Sequence, residues 1–406
     1  MLIDRRPTMR FGAPTGRAPD ALLRLIILGA TALAACESPR PTQPERASSE
    51  ALLDRSSALA ASPAVVLASG LRYPRGLTFD DHGNIYVAEA GTPAGHAQST
   101  VGQCAQVPAP QGPHRGGATG RISRIDASGI RTTVASGLPS SASPRGGIIG
   151  ITDLAFIDER LYALVNGGCS QGLPTAPASV IRVDPSGSWT VAADLSAWIA
   201  SHPVARPNAG DLEPDGDWYS MVAAGGVLYA VEANQGQLVS VHPTSGRVAR
   251  VVDVSTVEGH AVPTAVTVSR DMLLVGELTT FPAVPGGAKV LRYRRDGRPA
   301  GALSGFTAIL GVDADRHGNV YVLESFTCAT TAPCFPSPRS GRVVRVASDG
   351  ARSVVAAGLS FATTVRLGPD GALYISNFGY GPPSAGQILR VALGSETTDA
   401  DDHDDR

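Results

Sequence analysis

The 406-residue chain is poor in charge: Asp, Glu, Lys and Arg make up 17% of it, and its formal net charge is -2. No basic cluster is dense enough to follow a phosphate backbone, which excludes nucleic acid as a partner. Long apolar runs are lacking too. The most apolar stretch near the start, LIILGATALAAC (25–36), is too short to cross a bilayer comfortably. There are 5 cysteines and none stands in a C-x-x-C pair, which argues against zinc held by thiolates. A P-loop and an H-E-x-x-H helix are absent as well. What is abundant is Gly (46), Pro (31) and a 43% hydrophobic content, the make-up of many short strands and turns around an apolar core.

At the N-terminus Arg5, Arg6, Arg10, Arg17 and Arg24 precede the apolar run, the order of a secretion signal that starts at Met1 or Met9. The run ends in LAAC (33–36), which resembles the lipobox of bacterial lipoproteins. That resemblance implies cleavage before Cys36 and a lipid on it. The membrane is then a partner, and the chain sits in the cell envelope, at the outer membrane or periplasmic face of a double-membraned cell. Residues 37–63 read as a flexible tether and 394–406 as a solvated acidic tail.

Between them the chain repeats itself. Residues 82–91 read HGNIYVAEAG and residues 317–326 read HGNVYVLESF, and both are followed by a loop and then by GRISRIDASG (120–129) or GRVVRVASDG (341–350). Six such units can be aligned on Tyr86, Tyr162, Tyr229, Leu274, Tyr321 and Tyr374. Each alternates apolar and polar residues with Asp/Gly turns, the pattern of a four-stranded blade. The sixth unit stops after three strands, and AVVLASGL (64–71) matches the missing fourth, as in VVAAGL (354–359). The expected fold is therefore all-β: a monomeric six-bladed β-propeller over 64–393, closed by its own N-terminal strand.

Turns between strands one and two, and three and four, are short in every unit. The insertions (90–119, 139–150, 167–177, 196–217, 278–287, 325–340 and 378–385) therefore gather on the other face, where binding is expected. The second strands end there in Glu89, Asn166, Glu232, Glu277, Glu324 and Asn377, an oxygen-rich series suited to Ca2+ or another divalent cation if it converges. The same residues could instead cap blade contacts through backbone N–H groups. Near the channel mouth stand Arg75 and Arg145 for an anionic group, together with Asp153, Thr264 and Thr363. His260 is the candidate base. Cys104 and Cys169 occupy corresponding loops of neighbouring blades, and Cys328 and Cys334 share one loop. Two disulfides, Cys104–Cys169 and Cys328–Cys334, are expected in an oxidising compartment.

The stretches LASGLRYPRGLTFDDHGNIYVAEAG (67–91), GRISRIDASG and GDWYSMVAAGGVLYAVEANQGQLVSV (216–241) resemble the ScyD/ScyE family of exported propellers, and more loosely NHL-repeat proteins. The resemblance covers 64–393 and implies a six-bladed propeller and export, with no catalytic residue to carry over. Two functions remain open. One is a binding or scaffold protein that takes a small molecule, a glycan or an envelope protein on its loop-rich face. The other is a metal-dependent hydrolase, lactonase or lyase at the channel mouth.

Overall fold

The computed structural model describes residues 63–280, 282–329, 331 and 337–394. The signal segment, Cys36, the tether up to residue 62, Cys334 and the acidic tail from 395 lie outside the described residues.

The six units form six antiparallel sheets. Their innermost strands are β2 (Pro74–Phe79), β8 (Ile151–Ile157), β12 (Trp218–Ala224), β16 (Pro263–Ser269), β20 (Ile309–Ala314) and β24 (Thr364–Leu367), each packed on the next around a ring. Five blades have four strands. The first departs from expectation: its third and fourth strands, β5 (Arg115–Ile125) and β6 (Arg131–Ala142), are long, and β4 (His96–Gln98) and β7 (Ile148–Ile149) add to them, giving a six-stranded sheet. The ring closes as expected. β1 (Val65–Leu71) pairs antiparallel with β26 (Gly386–Val391), so the sixth blade is built from both ends of the domain.

The duplicated HGN sentence is a turn signal. Asp80 Oδ1 accepts from the backbone N–H groups of His82 and Asn84, at 3.0 and 2.8 Å, and Asn84 Nδ2 donates back to the same carboxylate. Asp315, His317 and Asn319 repeat this arrangement in the fifth blade. Such a side chain closes a tight turn without drawing on the ladder. Most of the core lies between blades, in clusters that each join two neighbours. One joins Leu164 and Val180 to Trp218 and Met221, and another joins Leu71 and Leu77 to Tyr374 and Ile388. A blade buried on both faces needs apolar residues in both phases of the strand, which accounts for runs such as VYVL (320–323).

Candidate functional site

The axis is not an open pore. Arg366 of β24 reaches across it: Nη2 lies 3.0 Å from Asp153 Oδ2, and the guanidinium also donates to the carbonyls of Met221, Val266 and Val312. One side chain of the sixth blade thereby touches the second, third, fourth and fifth. Asp153, buried on β8, accepts in addition from Ser220 Oγ, Met221 N and Leu154 N. Burial pushes its carboxyl up while Arg366 and these N–H groups pull it down. Gly76 has no substitute here, since a Cβ would stand 1.9 Å from Asp153 Oδ1. Two threonines stitch the inner strands: Thr264 Oγ1 donates to the Ile309 carbonyl at 2.6 Å and Thr363 Oγ1 to that of Pro74 at 2.8 Å.

Above this floor, on the loop-rich side, lies a cavity of about 120 Å³ lined by Arg75, Thr152, Asp153, Asn166, Asp217 and Tyr219, among others. Arg75 is anchored by donating to the Ile148 carbonyl at 2.7 Å. Asn166 Nδ2 donates to Asp217 Oδ1 at 2.5 Å, and Asn166 Oδ1 is buried without a hydrogen-bond partner. Burial raises the Asp217 carboxyl, opposed by Asn166, Arg75 and His114. Burial likewise raises the Tyr219 phenol, and Arg75 beside it opposes the shift.

Asp217 ends an acidic loop, DLEPDGD (211–217), that the sequence reading passed over as part of an insertion. Burial and the neighbouring Asp217, Glu232 and Asp215 charges push Glu213 up to about 8. Its carboxylate accepts from Gln171 Nε2, whose own Oε1 faces His114 Nδ1 and accepts from Ser141 Oγ. Asp215 accepts from both N and Oγ of Ser170. The signal was present in the sequence, as four carboxylates within seven residues, a density unusual for a chain with so few charges.

The six second-strand residues are all buried, but they do not converge. Glu89 accepts from Arg72 N and from Arg121. Glu324 accepts from Thr307 N and Arg342. Glu232 accepts from Asp217 N, Asn234 N and Gln235 N. Asn377 accepts from Ser360 N. Each of these four ties its own blade to the linker that enters it. The strand end fixes position along the strand, and the second strand stands one step out from the axis. Among the described residues no three His, Cys, Asp or Glu side chains form a metal-ligating group. Only Asn166 of the six lines the cavity.

Arg75, Asp153 and Thr363 line the cavity, whereas Arg145 is exposed on the turn before β7. His260 is apart from the lining, with Nδ1 3.5 Å from Asp211 Oδ1 at the start of the acidic loop. Cys104 and Cys169 form a disulfide, as the loop correspondence predicts. Cys328 is disulfide-bonded, and Cys334 falls outside the described residues. Gly168-Cys169-Ser170-Gln171-Gly172 has the spacing of a nucleophile elbow, yet Ser170 is fully buried and its hydroxyl donates to Asp215, with no histidine hydrogen-bonded to it.

No protein-family model and no curated protein matches the chain. Solved structures do, at the level of fold. A calcium-binding protein, regucalcin, from Agrobacterium tumefaciens is similar at 16% identity, over 82% of this chain and 94% of that one, with a TM-score of 0.49. The gluconolactonase XC5397 from Xanthomonas campestris is similar at 11% identity, over 82% and 93%, with a TM-score of 0.47. A luciferin-regenerating enzyme is similar at 10% identity, over 82% and 96%, with a TM-score of 0.44. These findings correct two expectations. The expected membership of the ScyD/ScyE or NHL-repeat proteins is not borne out: no family model matches, and the solved structures that are similar in fold are regucalcin- and gluconolactonase-type propellers. The expectation of a plain binding or scaffold role is set aside as well: proteins of like fold include a gluconolactonase and a luciferin-regenerating enzyme, and at 10–11% identity the likeness is one of fold and assigns no activity.

Proposed function

We propose that the chain is a hydrolase of a small ester or lactone, acting in the cavity at the loop-rich mouth of the channel. The observation that carries this reading is Asp217: a half-buried carboxyl with raised proton affinity, on a cavity wall shared with a guanidinium and a phenol. A general base works best when its pKa approaches the working pH. Water held by Asp217 adds to the carbonyl carbon and gives its proton to that carboxylate. Arg75 and Tyr219 face the oxyanion that forms. When the acyl C–O bond breaks, the proton passes from Asp217 to the departing alkoxide. In a lactone that alkoxide stays on the product, which leaves as a hydroxy acid.

A divalent cation fits the same wall. Asn166 Oδ1 is a buried oxygen without a partner beside the Asp217 carboxylate, the donor type that calcium takes, with water or substrate completing its shell. Bound there it would act as a Lewis acid on the carbonyl. Calcium binding is stated in the name of the Agrobacterium protein and is proposed for this one.

The test is a panel of γ- and δ-lactones and aryl esters, assayed with calcium, with manganese and with a chelator. Turnover that falls about 100-fold or more in Asp217→Asn supports the reading. Turnover that is unchanged in Asp217→Asn and Arg75→Met removes it. Attachment to the envelope through a lipid on Cys36 belongs to the same proposal. Fatty-acid labelling that persists in Cys36→Ala would refute that part.

A further inference from the structure

Two blades seat a guanidinium on their second-strand carboxylate, and the fourth blade has the carboxylate without the guanidinium. In the first blade Glu89 lies in register with Arg121, which donates Nε and Nη2 to it at 2.8 and 2.6 Å. In the fifth, Glu324 lies in register with Arg342, which donates Nε at 2.6 Å. Each seat also receives a backbone N–H from the incoming linker, Arg72 N or Thr307 N. In these two blades the carboxylate takes a guanidinium, whereas Glu232 of the third blade, opposite Gln237, is held by backbone N–H groups alone.

In the fourth blade the pairing of β17 (Met272–Glu277) with β18 (Ala288–Arg294) brings Gly276 opposite Val290, so the next pair along is Glu277 and Lys289. Lys289 is the one lysine of a sequence that uses arginine everywhere else. Its Nζ donates to Glu258 Oε2 at 2.9 Å, and its charge acts on Glu277 without a hydrogen bond to it. Glu258 belongs to α2 (Val254–Glu258), which follows α1 (Leu195–Ser201) among the described residues. The linker does not fill the gap, because Ala261 N is directed to Ser255 Oγ. Glu277 is left 6% exposed and without a hydrogen bond from any described residue. Burial pushes it up to about 7. A second group is orphaned nearby. Tyr293 is 1% exposed, its hydroxyl has no partner, and the Glu258 and Glu277 charges both act on it. Lys289 is the one cation acting on Glu258 and Glu277, and its hydrogen bond goes to Glu258, so Glu277 has no hydrogen-bonded cation of its own.

We propose that Glu277 is a binding seat for an external guanidinium cation, with the Tyr293 hydroxyl as a second acceptor. A planar fork of N–H donors matches a carboxylate in a way that the Lys289 ammonium cannot. The cation comes either as a free alkylguanidine or as an arginine side chain of another protein. The seat is distinct from the channel mouth, and its test does not depend on the hydrolase reading.

The experiment titrates methylguanidinium chloride, and separately an acetylated Gly-Arg-Gly amide, into the full chain by calorimetry, with sodium chloride as the control. Saturable binding that is lost in Glu277→Gln is the expected result. Binding of methylguanidinium alone points to a small-molecule source, and binding of the peptide as well points to a protein side chain. Lys289→Arg supplies the guanidinium from within. It should abolish binding and raise the melting temperature by on the order of 2 °C. Asp217→Asn should bind as the parent does. The proposal is overturned if neither probe binds, or if binding is the same in Glu277→Gln and Lys289→Arg as in the parent chain.

Discussion

Arg366 and Asp153 stand 213 positions apart in sequence and meet on the propeller axis, Nη2 to Oδ2, at 3.0 Å. Their side chains are 11% and 2% exposed, so the pair is shielded from solvent. Removing one partner of such a pair leaves a buried charge alone, at a cost of about 3–5 kcal/mol. Arg366→Met should therefore lower the denaturation midpoint sharply. The double variant Arg366→Met, Asp153→Leu should lose less than the sum of the two single changes. Strict additivity in urea unfolding would show that the pair is not coupled.

Ring closure gives a second prediction. The contacts of β1 with β26 run from Val65 opposite Arg390 to Leu71 opposite Gly386. Removing residues 37–62 should leave the melting temperature nearly unchanged. Removing residues 37–72 exposes the edge of β26 and should lower it strongly, since terminal strands otherwise fray. Differential scanning calorimetry of the two truncations would decide this, and equal stability would refute closure as the stabilising element.

The acidic loop makes stability depend on pH. Burial and the neighbouring carboxylates push Glu213 up to about 8 in the folded chain, from an ordinary carboxyl value of 4.5. Between those values the unfolded carboxyl has lost its proton and the folded one has kept it. The unfolded state binds fewer protons, so stability falls as pH rises across this window. Glu213→Gln keeps an acceptor for Gln171 and removes the ionisation. It should flatten the slope and stabilise the chain by on the order of 1–3 kcal/mol at pH 8, with little effect at pH 4. Urea midpoints at a series of pH values would measure it.

The Cys104–Cys169 bridge closes a loop with a sequence separation of 65. It also anchors the turn that carries Ser170 and Gln171 against the acidic loop. Its removal in Cys104→Ser, Cys169→Ser should cost about 2–4 kcal/mol. Peptide mapping under non-reducing conditions should recover the 104–169 link, and free thiols at both positions would refute it.

How much of this was legible in the sequence depends on whether a residue belongs to the repeat. The blades, the closing strand and the disulfide between matched loops could be read because each has a counterpart one unit away. Arg75 and Asp153 were placed at the mouth for the same reason: both sit on first strands, and first strands line the axis. Asp217 and Glu213 were missed because their insertion has no counterpart in the other blades. Arg366 was missed because its role depends on a carboxylate four blades earlier in the sequence, brought near only by closure of the ring. The six second-strand residues were aligned correctly along their strands. Their radial distance from the axis is set by the order of strands in a blade, and no local pattern records it. Arg145 and His260 show the converse error, since proximity to a first strand in sequence does not bring a loop residue into the cavity.

The joining of β1 to β26 also sets a timetable. Val65 emerges from the ribosome 325 positions before its partner Arg390. At roughly 5–20 residues per second that is an interval of about 15–65 s. Throughout it the first strand has no place to pair and the ring has two open ends. The blades in between can form in order as they appear, each on the face of the one before. The final step must wait for the last residues of the domain and join the oldest part of the chain to the newest. A stall or truncation anywhere before β26 thus leaves an arc with two unpaired edges, which is the form most exposed to joining another copy instead.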